Sequence, residues 1–268
     1  MPTSYLNLKS WRAALLALTF WVQPFLAGEA ASLEPDPDAA TVLANLRSER
    51  DERVRQLHTM LDIQPGQATL WKQLERRIAS QDAQLDDVTL EAQTHQGGRL
   101  LDDLALFNRW RSAQAAGDLE WINAMRWLVP QLNAKQRKLV VELKENTAPL
   151  PPGAIANDEE LDAERAAWLE HRPSLRATLD LRPDQDDAWR TFEAETADPV
   201  ARRRAVLAAS QRIEPLFGGQ ELFARTYEAM VTENVDWLGA LQRLDRSLDE
   251  EQRQRLDAFM YRHPSHRH

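Results

Sequence analysis

The chain has 268 residues, of which 43% are hydrophobic and 28% are charged, and this balance is typical of a globular protein with a packed core. It excludes a chain that is disordered throughout. The net charge of −9 disfavours nucleic acid as a partner, because an acidic surface repels phosphates. Because the chain contains no cysteine, disulfides, thiol nucleophiles and thiolate metal sites are also excluded.

The first 30 residues have the pattern of a secretory signal peptide. Lys9 and Arg12 precede an apolar stretch at 13–26, and small residues follow it. This order is typical of an export signal, so residues 1–30 are predicted to be removed by cleavage after Ala30. The apolar stretch of about 14 residues is shorter than the roughly 20 that cross a bilayer. An uncleaved membrane anchor is the alternative, and no membrane span is expected after cleavage.

The rest of the chain is rich in Leu, Ala, Glu, Gln and Arg, which favour helices, so we predict an all-α fold. In the first half, one helix begins at Pro37 with Asp36 as its N-cap, and a second begins at Pro65. A polar break at 95–98 precedes a long third helix, and a fourth helix begins at Ala134. The end of the third helix carries an apolar stripe with helical spacing: Trp121, Met125, Leu128 and Leu132.

A proline-rich segment divides the chain into two halves. Its prolines cannot continue a helix, because proline lacks the amide donor and clashes with the preceding turn. Residues 148–155 are therefore predicted to be a fairly stiff linker. The linker separates a first helical unit at 35–147 from a second at 156–262, and each unit is predicted to contain four helices.

The two halves repeat one another. The pattern L-D-[IL]-x-P-x-Q-x-x-x-W runs from Leu61 to Trp71 and again from Leu179 to Trp189, at an offset of 118. Later matches, such as Trp121 with Trp237, lie at an offset of 116. Order and spacing kept over most of each half predict a tandem duplication with one fold in both copies.

Four motifs place a glutamine near the start of a helix, behind a hydrophobic residue and a capping position. The hydrophobic residues and glutamines are Ile63 with Gln67, Leu132 with Gln136, Leu181 with Gln185, and Leu248 with Gln252. Asn133 and Asp249 are suitable N-caps, and the glutamine three residues later completes a capping box. Efficient helix initiation is therefore the structural alternative for each motif taken singly.

These motifs resemble the LTxxQ signature of the Spy/CpxP family of periplasmic chaperones. One motif opens the second helix and another opens the last helix after a long third one, which is the order found in the family. None of the four has threonine at the second position, where this chain carries Gln64, Asn133, Arg182 and Asp249. The resemblance implies two tandem Spy-like four-helix units that form a pseudo-dimer.

The resemblance also implies a function. It points to an ATP-independent periplasmic chaperone, or holdase, or to an envelope-stress binding protein of the same type. The partners would be unfolded or misfolded envelope proteins, or the domain of a stress sensor. The client-binding candidates are matched residues of the two halves: Leu106, Phe107 and Arg109 with Leu222, Phe223 and Arg225. The alternative is that the four apolar residues are buried core and the two arginines are ordinary surface.

Other chemistry has weaker support. The sequence has no G-x-S-x-G, H-E-x-x-H, Walker or G-x-G-x-x-G motif, so we predict neither an enzyme nor a cofactor. His263, His266 and His268 are of a type that binds metals. A metal-responsive or metal-buffering periplasmic protein of the same superfamily is thus the second hypothesis, although a flexible polar terminus is the favoured explanation of these histidines. A scaffold role with one dedicated partner is the third.

Two further groups of residues are assigned structural roles. Trp71 and Trp189 are predicted to anchor the core rather than to bind a ligand. The basic run of Arg202, Arg203 and Arg204 is predicted to be a solvated helix face, with contact to an acidic partner as the alternative.

Overall fold

The computed structural model describes residues 39–79, 82–94, 99–145, 154–210 and 218–262. Within these ranges the protein is all-α, as predicted, and its regular structure consists of α-helices and short 3-10 turns. In the same ranges, no helix is both long and apolar enough to cross a membrane. The expected signal peptide, most of the linker and the three tail histidines lie outside the described residues.

The first repeat contributes five α-helices to the described chain. They are α1 (Ala39–Met60), α2 (Ala68–Ala79), α3 (Asp82–Thr94), α4 (Leu100–Leu128) and α5 (Ala134–Glu145). The 3-10 turns Pro65–Gln67 and Val129–Gln131 precede α2 and α5. The predicted start at Ala134 is confirmed, whereas Pro65 begins the 3-10 turn and α2 itself begins at Ala68. Helix α3 is additional to the four predicted helices.

The second repeat has the same order of helices within the described residues. They are α6 (Asp158–Leu179), α7 (Asp186–Glu195), α8 (Ala201–Ala209), α9 (Gly218–Asp245) and α10 (Glu250–Arg262). A 3-10 turn at Pro183–Gln185 precedes α7, as the turn at Pro65–Gln67 precedes α2. Helix α8, in which three arginines follow Ala201, has only 9 residues and is additional to the four helices predicted for this half.

Backbone contacts divide the chain into two compact units that differ from the predicted halves. Unit 1 is formed by the described parts of 1–80 and 120–151, and unit 2 by those of 81–119 and 152–268. Helix α3, and α4 as far as Leu119, therefore pack with the second repeat rather than with the remainder of the first. The proline-rich segment separates the repeats in sequence, but it does not mark the boundary between packed units.

Unit 1 buries one face of each of its helices. In α2, Trp71, Leu74 and Ile78 follow one another at intervals of three and four residues and are all buried. The ring of His58 meets the edge of Trp71 at a centroid distance of 4.9 Å. The prediction that Trp71 anchors the core is therefore confirmed.

Unit 2 contains a larger apolar core. Its buried members come from five helices and from the segment between α9 and α10: Leu101, Trp168, Leu175, Leu179, Trp189, Phe192, Leu238, Ala240, Leu241, Leu244, Leu248, Leu256, Phe259 and Met260. Trp189 is fully buried, as predicted, and its ring packs against Phe192 at 5.2 Å. Leu101, at the start of α4, is the buried contribution of the first repeat to this core, and it places the first turns of α4 beside α9.

Candidate functional site

The two motif glutamines of the first repeat bind each other. Gln67 Nε2 donates to Gln136 Oε1 at 3.0 Å, and Gln136 Nε2 donates back to Gln67 Oε1 at 2.9 Å. Gln136 Oε1 also accepts the backbone N–H of Asn133 at 3.0 Å, and its Nε2 donates to the carbonyl of Leu61 at 2.8 Å. The buried amide of Gln136 therefore uses all four of its hydrogen-bonding positions.

The second repeat contains the same arrangement. Gln185 Nε2 donates to Gln252 Oε1 at 2.8 Å, and Gln252 Nε2 donates back to Gln185 Oε1 at 2.9 Å. The two Oε1 atoms also accept the backbone N–H groups of Arg182 and Asp249, at 2.9 and 3.0 Å. The remaining N–H of each amide donates to a backbone carbonyl of unit 2. In each repeat, a reciprocal amide pair thus joins the starts of two helices.

The aspartate shared by the early motifs has a conformational role. Asp62 and Asp180 both have φ of 49°, the left-handed region, which aspartate adopts more readily than most residues. Asp180 closes the C-terminus of α6 and donates its backbone N–H to the carbonyl of Ala177. Its own carbonyl then accepts Gln252 Nε2 at 3.2 Å. The motif L-D therefore ends one helix and provides an acceptor for the glutamine pair.

These contacts assign the motif residues to the architecture of each repeat. Leu132 and Leu248 are buried, and Ile63 and Leu181 are partly buried. In each repeat, the two glutamines face each other within the protein rather than an open surface. The motifs therefore have the geometry that efficient helix initiation predicts. The candidates for binding are the residues on α4 and α9.

The client-binding candidates of the first repeat lie on α4 within unit 2 and differ in exposure. Leu106 is buried, whereas Phe107 is 39% exposed. Arg109 pairs with Glu91 of α3 at 2.5 Å. The core alternative thus applies to Leu106, and Phe107 is the more accessible apolar group.

The matched candidates of the second repeat have different surroundings. Leu222 and Phe223 are partly buried, and the ring of Phe223 stacks on Tyr227 at 6.2 Å. Arg225 pairs at 2.9 Å with Glu221, a buried carboxylate of its own helix. Residues that match in sequence therefore do not match in environment, because the acidic partner comes from a different helix in each repeat.

Four side chains connect the two sets of candidates. Arg111 Nε donates to the hydroxyl of Tyr227 at 3.1 Å. The Arg111 guanidinium also lies 5.7 Å from the ring of Phe107 and 5.4 Å from that of Tyr227, and both distances are within the range of a cation–π contact. Phe107, Arg111, Phe223 and Tyr227 form what we call the aromatic–arginine cluster. Tyr227 is the residue that matches Arg111 at the offset of 116.

A cleft of about 330 Å³ lies among α3, α4 and α9 of unit 2. The apolar lining residues, which we call its floor, are the buried Leu106 and the partly buried Ala105, Val235 and Gly239. The polar lining residues, which we call its rim, are the exposed Glu91, Asp102 and Arg109 and the partly buried Gln242. Two of the client-binding candidates, Leu106 and Arg109, therefore line one concave feature of unit 2.

Arg99 fixes the start of α4 next to the cleft. Arg99 Nη1 donates to both carboxylate oxygens of Asp245 at 2.7 Å, and Nη2 donates to Asp257 at 3.2 Å. Burial lowers the pKa of Arg99, but these hydrogen bonds outweigh burial, so its pKa is raised overall. The guanidinium therefore stays charged and holds the first turn of α4 to the end of α9 and the middle of α10.

No protein-family model, curated protein or solved structure matches this chain. The resemblance to the Spy/CpxP family is therefore carried by the four motifs and their order, and it stays a prediction. The cleft and the aromatic–arginine cluster are the features of unit 2 that bear on function.

The basic run on α8 is engaged within unit 2. Arg202 pairs with Asp236 at 2.8 Å, and Arg204 pairs with Asp162 at 2.6 Å. Arg203 is buried and binds Glu164 and Glu233, at 2.5 and 2.7 Å. The prediction of a solvated face is wrong for Arg203, because the sequence does not reveal that acidic residues of α6 and α9 face α8.

The buried ion pair has two carboxylates around one guanidinium. Burial lowers the pKa of Arg203, but the hydrogen bond and charge of Glu164 and the charge of Glu233 outweigh it and raise that pKa overall. Burial raises the pKa of the Glu233 carboxyl, and the hydrogen bonds and charge of Arg203 only partly offset this effect. These residues are candidates for a structural role, since they do not line the cleft.

The metal hypothesis receives no geometry from the described residues, among which no group of three or more histidine, aspartate or glutamate side chains is placed to hold an ion. His263, His266 and His268 lie outside the described ranges. Of the other histidines, His58 packs against Trp71.

Sequence reasoning missed Arg99, Arg111, Tyr227 and Glu233. One signal was present for two of them, because the matched segment that contains Phe107 and Phe223 extends to Arg111 and Tyr227 at the same offset. Arginine and tyrosine differ in type, so a comparison of identical residues in the two repeats does not identify this pair. The partners of Arg99 are 146 and 158 residues away in the chain, and no local pattern indicates them.

Proposed function

We propose that the protein is an ATP-independent periplasmic holdase, or an envelope-stress binding protein, of the Spy/CpxP type. The observation that carries the proposal is Phe107, an aromatic side chain that is 39% exposed and lies 5.7 Å from the guanidinium of Arg111. A surface that holds many unfolded clients needs apolar groups that are already accessible, next to long cationic side chains that can adjust. The expected export of the chain and its four motifs agree with this assignment.

We further propose that the two repeats pair as an internal pseudo-dimer. In a two-fold pairing, a residue close to the axis meets its own equivalent. Arg111 and Tyr227 occupy equivalent positions of the repeats and share a hydrogen bond, which supports a local axis between α4 and α9. A second contact gives the relative direction of the two helices. Gln242 Nε2 donates to Asp102 at 3.2 Å, so the earlier residue on α4 meets the later residue on α9, and the two helices run antiparallel.

The proposal predicts that the mature protein suppresses the aggregation of unfolded proteins without nucleotide. Light scattering of several chemically unfolded clients, diluted into buffer with and without the protein, measures this activity. Absence of suppression for all of them would contradict the holdase assignment. Suppression that requires ATP would contradict the nucleotide-independent mechanism.

Phe107 can be tested with a matched control. Phe107→Ser is expected to raise the protein concentration needed for half-maximal suppression about threefold, the effect of losing one aromatic contact of about 0.7 kcal/mol. Val141 of unit 1 is also 39% exposed and lies outside the cluster, so Val141→Ser should leave suppression unchanged. Equal losses in the two variants would show that apolar exposure in general, rather than this cluster, determines client holding.

A further inference from the structure

We propose that the cleft binds a basic side chain, of lysine or arginine, in a segment of an unfolded polypeptide. This inference rests on the proposed function, because it names the part of a client that the cleft accepts. Its basis is the combination of an apolar floor with a rim whose charges do not cancel.

The rim has an excess of one negative charge. Arg109 is neutralised by Glu91 at 2.5 Å, so this pair adds no net charge. Asp102 accepts a hydrogen bond from the neutral amide of Gln242 at 3.2 Å, and it forms no ion pair with any other described residue. The Asp102 carboxylate is therefore the rim charge that remains for a cation from outside.

The floor fits the stem of a basic side chain. Ala105, Leu106 and Val235 present apolar surface, and Gly239 adds depth because it has no side chain. Lysine and arginine pack their methylene stems on apolar surface while the charged end stays near water, which matches a floor below an acidic rim. The volume of about 330 Å³ lies within the range of small binding sites.

Two other occupants fit less well. An acidic side chain would meet the unpaired Asp102 charge at the rim, and it would have to displace Glu91 from Arg109. A purely apolar side chain would cover Asp102 without a compensating charge. The net charge of −9 on the whole chain also favours the approach of a basic segment over that of an acidic one.

Three labelled pentapeptides of the form Leu-Ala-X-Ala-Leu test the assignment, with X as lysine, norleucine or glutamate. Their binding to the full mature chain is followed by fluorescence anisotropy at low ionic strength. We expect the lysine peptide to bind about three- to fivefold more tightly than the norleucine peptide, the range for a partly exposed ion pair, and the glutamate peptide to bind most weakly. Equal binding of lysine and norleucine, or tightest binding of glutamate, would overturn the proposal.

A charge variant tests Asp102 itself. Asp102→Asn keeps an acceptor for Gln242 but removes the charge, so the preference for lysine over norleucine should disappear. Asp103 is exposed on the same turn of α4 and does not line the cleft, so Asp103→Asn should preserve the preference. A preference that survives Asp102→Asn would remove this residue from the site.

A steric variant tests the cleft. A Cβ added at Gly239 meets Arg243 Nη1 at 3.5 Å, an ordinary contact, so Gly239→Leu fills the cleft without backbone strain. It should weaken the lysine peptide at least about tenfold, equivalent to about 1.4 kcal/mol. Gly117 of α4 has open space around it, and Gly117→Leu is the matched control that should bind normally. Normal binding by Gly239→Leu would overturn the proposal.

The outcomes separate this inference from the proposed function. Suppression of aggregation without any preference for lysine would leave the holdase standing and refute the role of the cleft. A preference for lysine that depends on Asp102, without suppression of aggregation, would refute the holdase and leave the specificity of the cleft standing.

Discussion

Glu233 binds Arg203 twice, since its carboxylate pairs with the guanidinium at 2.7 Å and accepts the backbone N–H of the same residue at 3.0 Å. It also accepts the backbone N–H of Arg202 at 2.7 Å. Val200, the N-cap of α8, has no side-chain acceptor, so a carboxylate from α9 satisfies the first amides of α8 instead. The matching position of the first repeat is Gly117, and the first repeat therefore lacks this support.

Removal of the Glu233 carboxylate should be strongly destabilising. Glu233→Ala leaves Arg203 buried without one of its partners and α8 without its cap, so the free energy of unfolding should fall by about 3 kcal/mol. Urea unfolding followed by circular dichroism measures this loss. Glu228→Ala, on the same helix but partly exposed, should change stability by no more than about 0.5 kcal/mol. Similar losses in both variants would contradict the role given to the buried pair.

The N-cap of α10 should make stability depend on acid pH. The backbone N–H of Gln252 and the guanidinium of Arg182 lower the pKa of Asp249. Because the folded pKa lies below the ordinary value of about 3.9, the stabilisation is complete above that value and is lost as the pH falls through the folded pKa. Asp249→Asn keeps the cap, so its stability should depend less steeply on pH between about 5 and 3.

The first repeat supplies the reverse experiment for this cap. Asn133 occupies the position that matches Asp249 and donates and accepts the same capping hydrogen bonds with Gln136. Asn133→Asp should therefore add an acid-sensitive contribution to unfolding where the wild type has none at this position. Parallel pH profiles for wild type and both variants would show that the caps do not contribute to the acid transition.

The glutamine pairs should tolerate no carboxylate. In Gln252→Glu, the donors to Gln185 and to the carbonyl of Asp180 are lost inside the protein, so we expect a loss of about 2 kcal/mol. Gln254→Glu lies on the exposed face of the same helix and should be nearly neutral. Thermal unfolding of the two variants measures the difference. A stable Gln252→Glu protein would mean that the reciprocal amide pair is not a structural requirement.

The contact between Arg111 and Tyr227 can be isolated by a double-mutant cycle. Arg111→Gln, Tyr227→Phe and the double variant should give a coupling energy of about 1 kcal/mol, the value for one hydrogen bond with a cation–π contribution. Arg111→Gln alone should also weaken client holding if the cluster is the binding surface. If the effects of the two substitutions on stability are additive, Arg111 and Tyr227 are not coupled, and the pseudo-dimer loses this support.

Helix starts and the all-α class could be predicted because their causes are local. Pro65 and Pro183 begin the 3-10 turns that lead into α2 and α7. Asn133 and Asp249 each cap a helix with a glutamine three residues later, and these capping boxes mark the starts of α5 and α10. Helix α3 was missed because its sequence has no clear apolar stripe, and α8 because it is short. Helix α8 is stabilised by Glu233, a residue of α9.

The candidate site could be predicted only in part. Matching residues of the repeats identified Phe107, Leu106 and Arg109, but periodicity shows which face of α4 is apolar and not which helix covers it. Whether Arg109 faces a client or an acidic neighbour depends on Glu91 of α3, with which it pairs, and no local pattern around Arg109 indicates that partner. Asp102 carries no sequence signal, because its significance depends on which charges face it across the cleft.

The position of Leu101 affects how the chain folds while it is being synthesised. Its partners in the core of unit 2 begin at Trp168, 67 residues later in the sequence. A polypeptide that emerges from its N-terminus must therefore carry this leucine exposed until most of the second repeat has followed. The apolar start of α4 therefore stays uncovered during synthesis until the second repeat has been made.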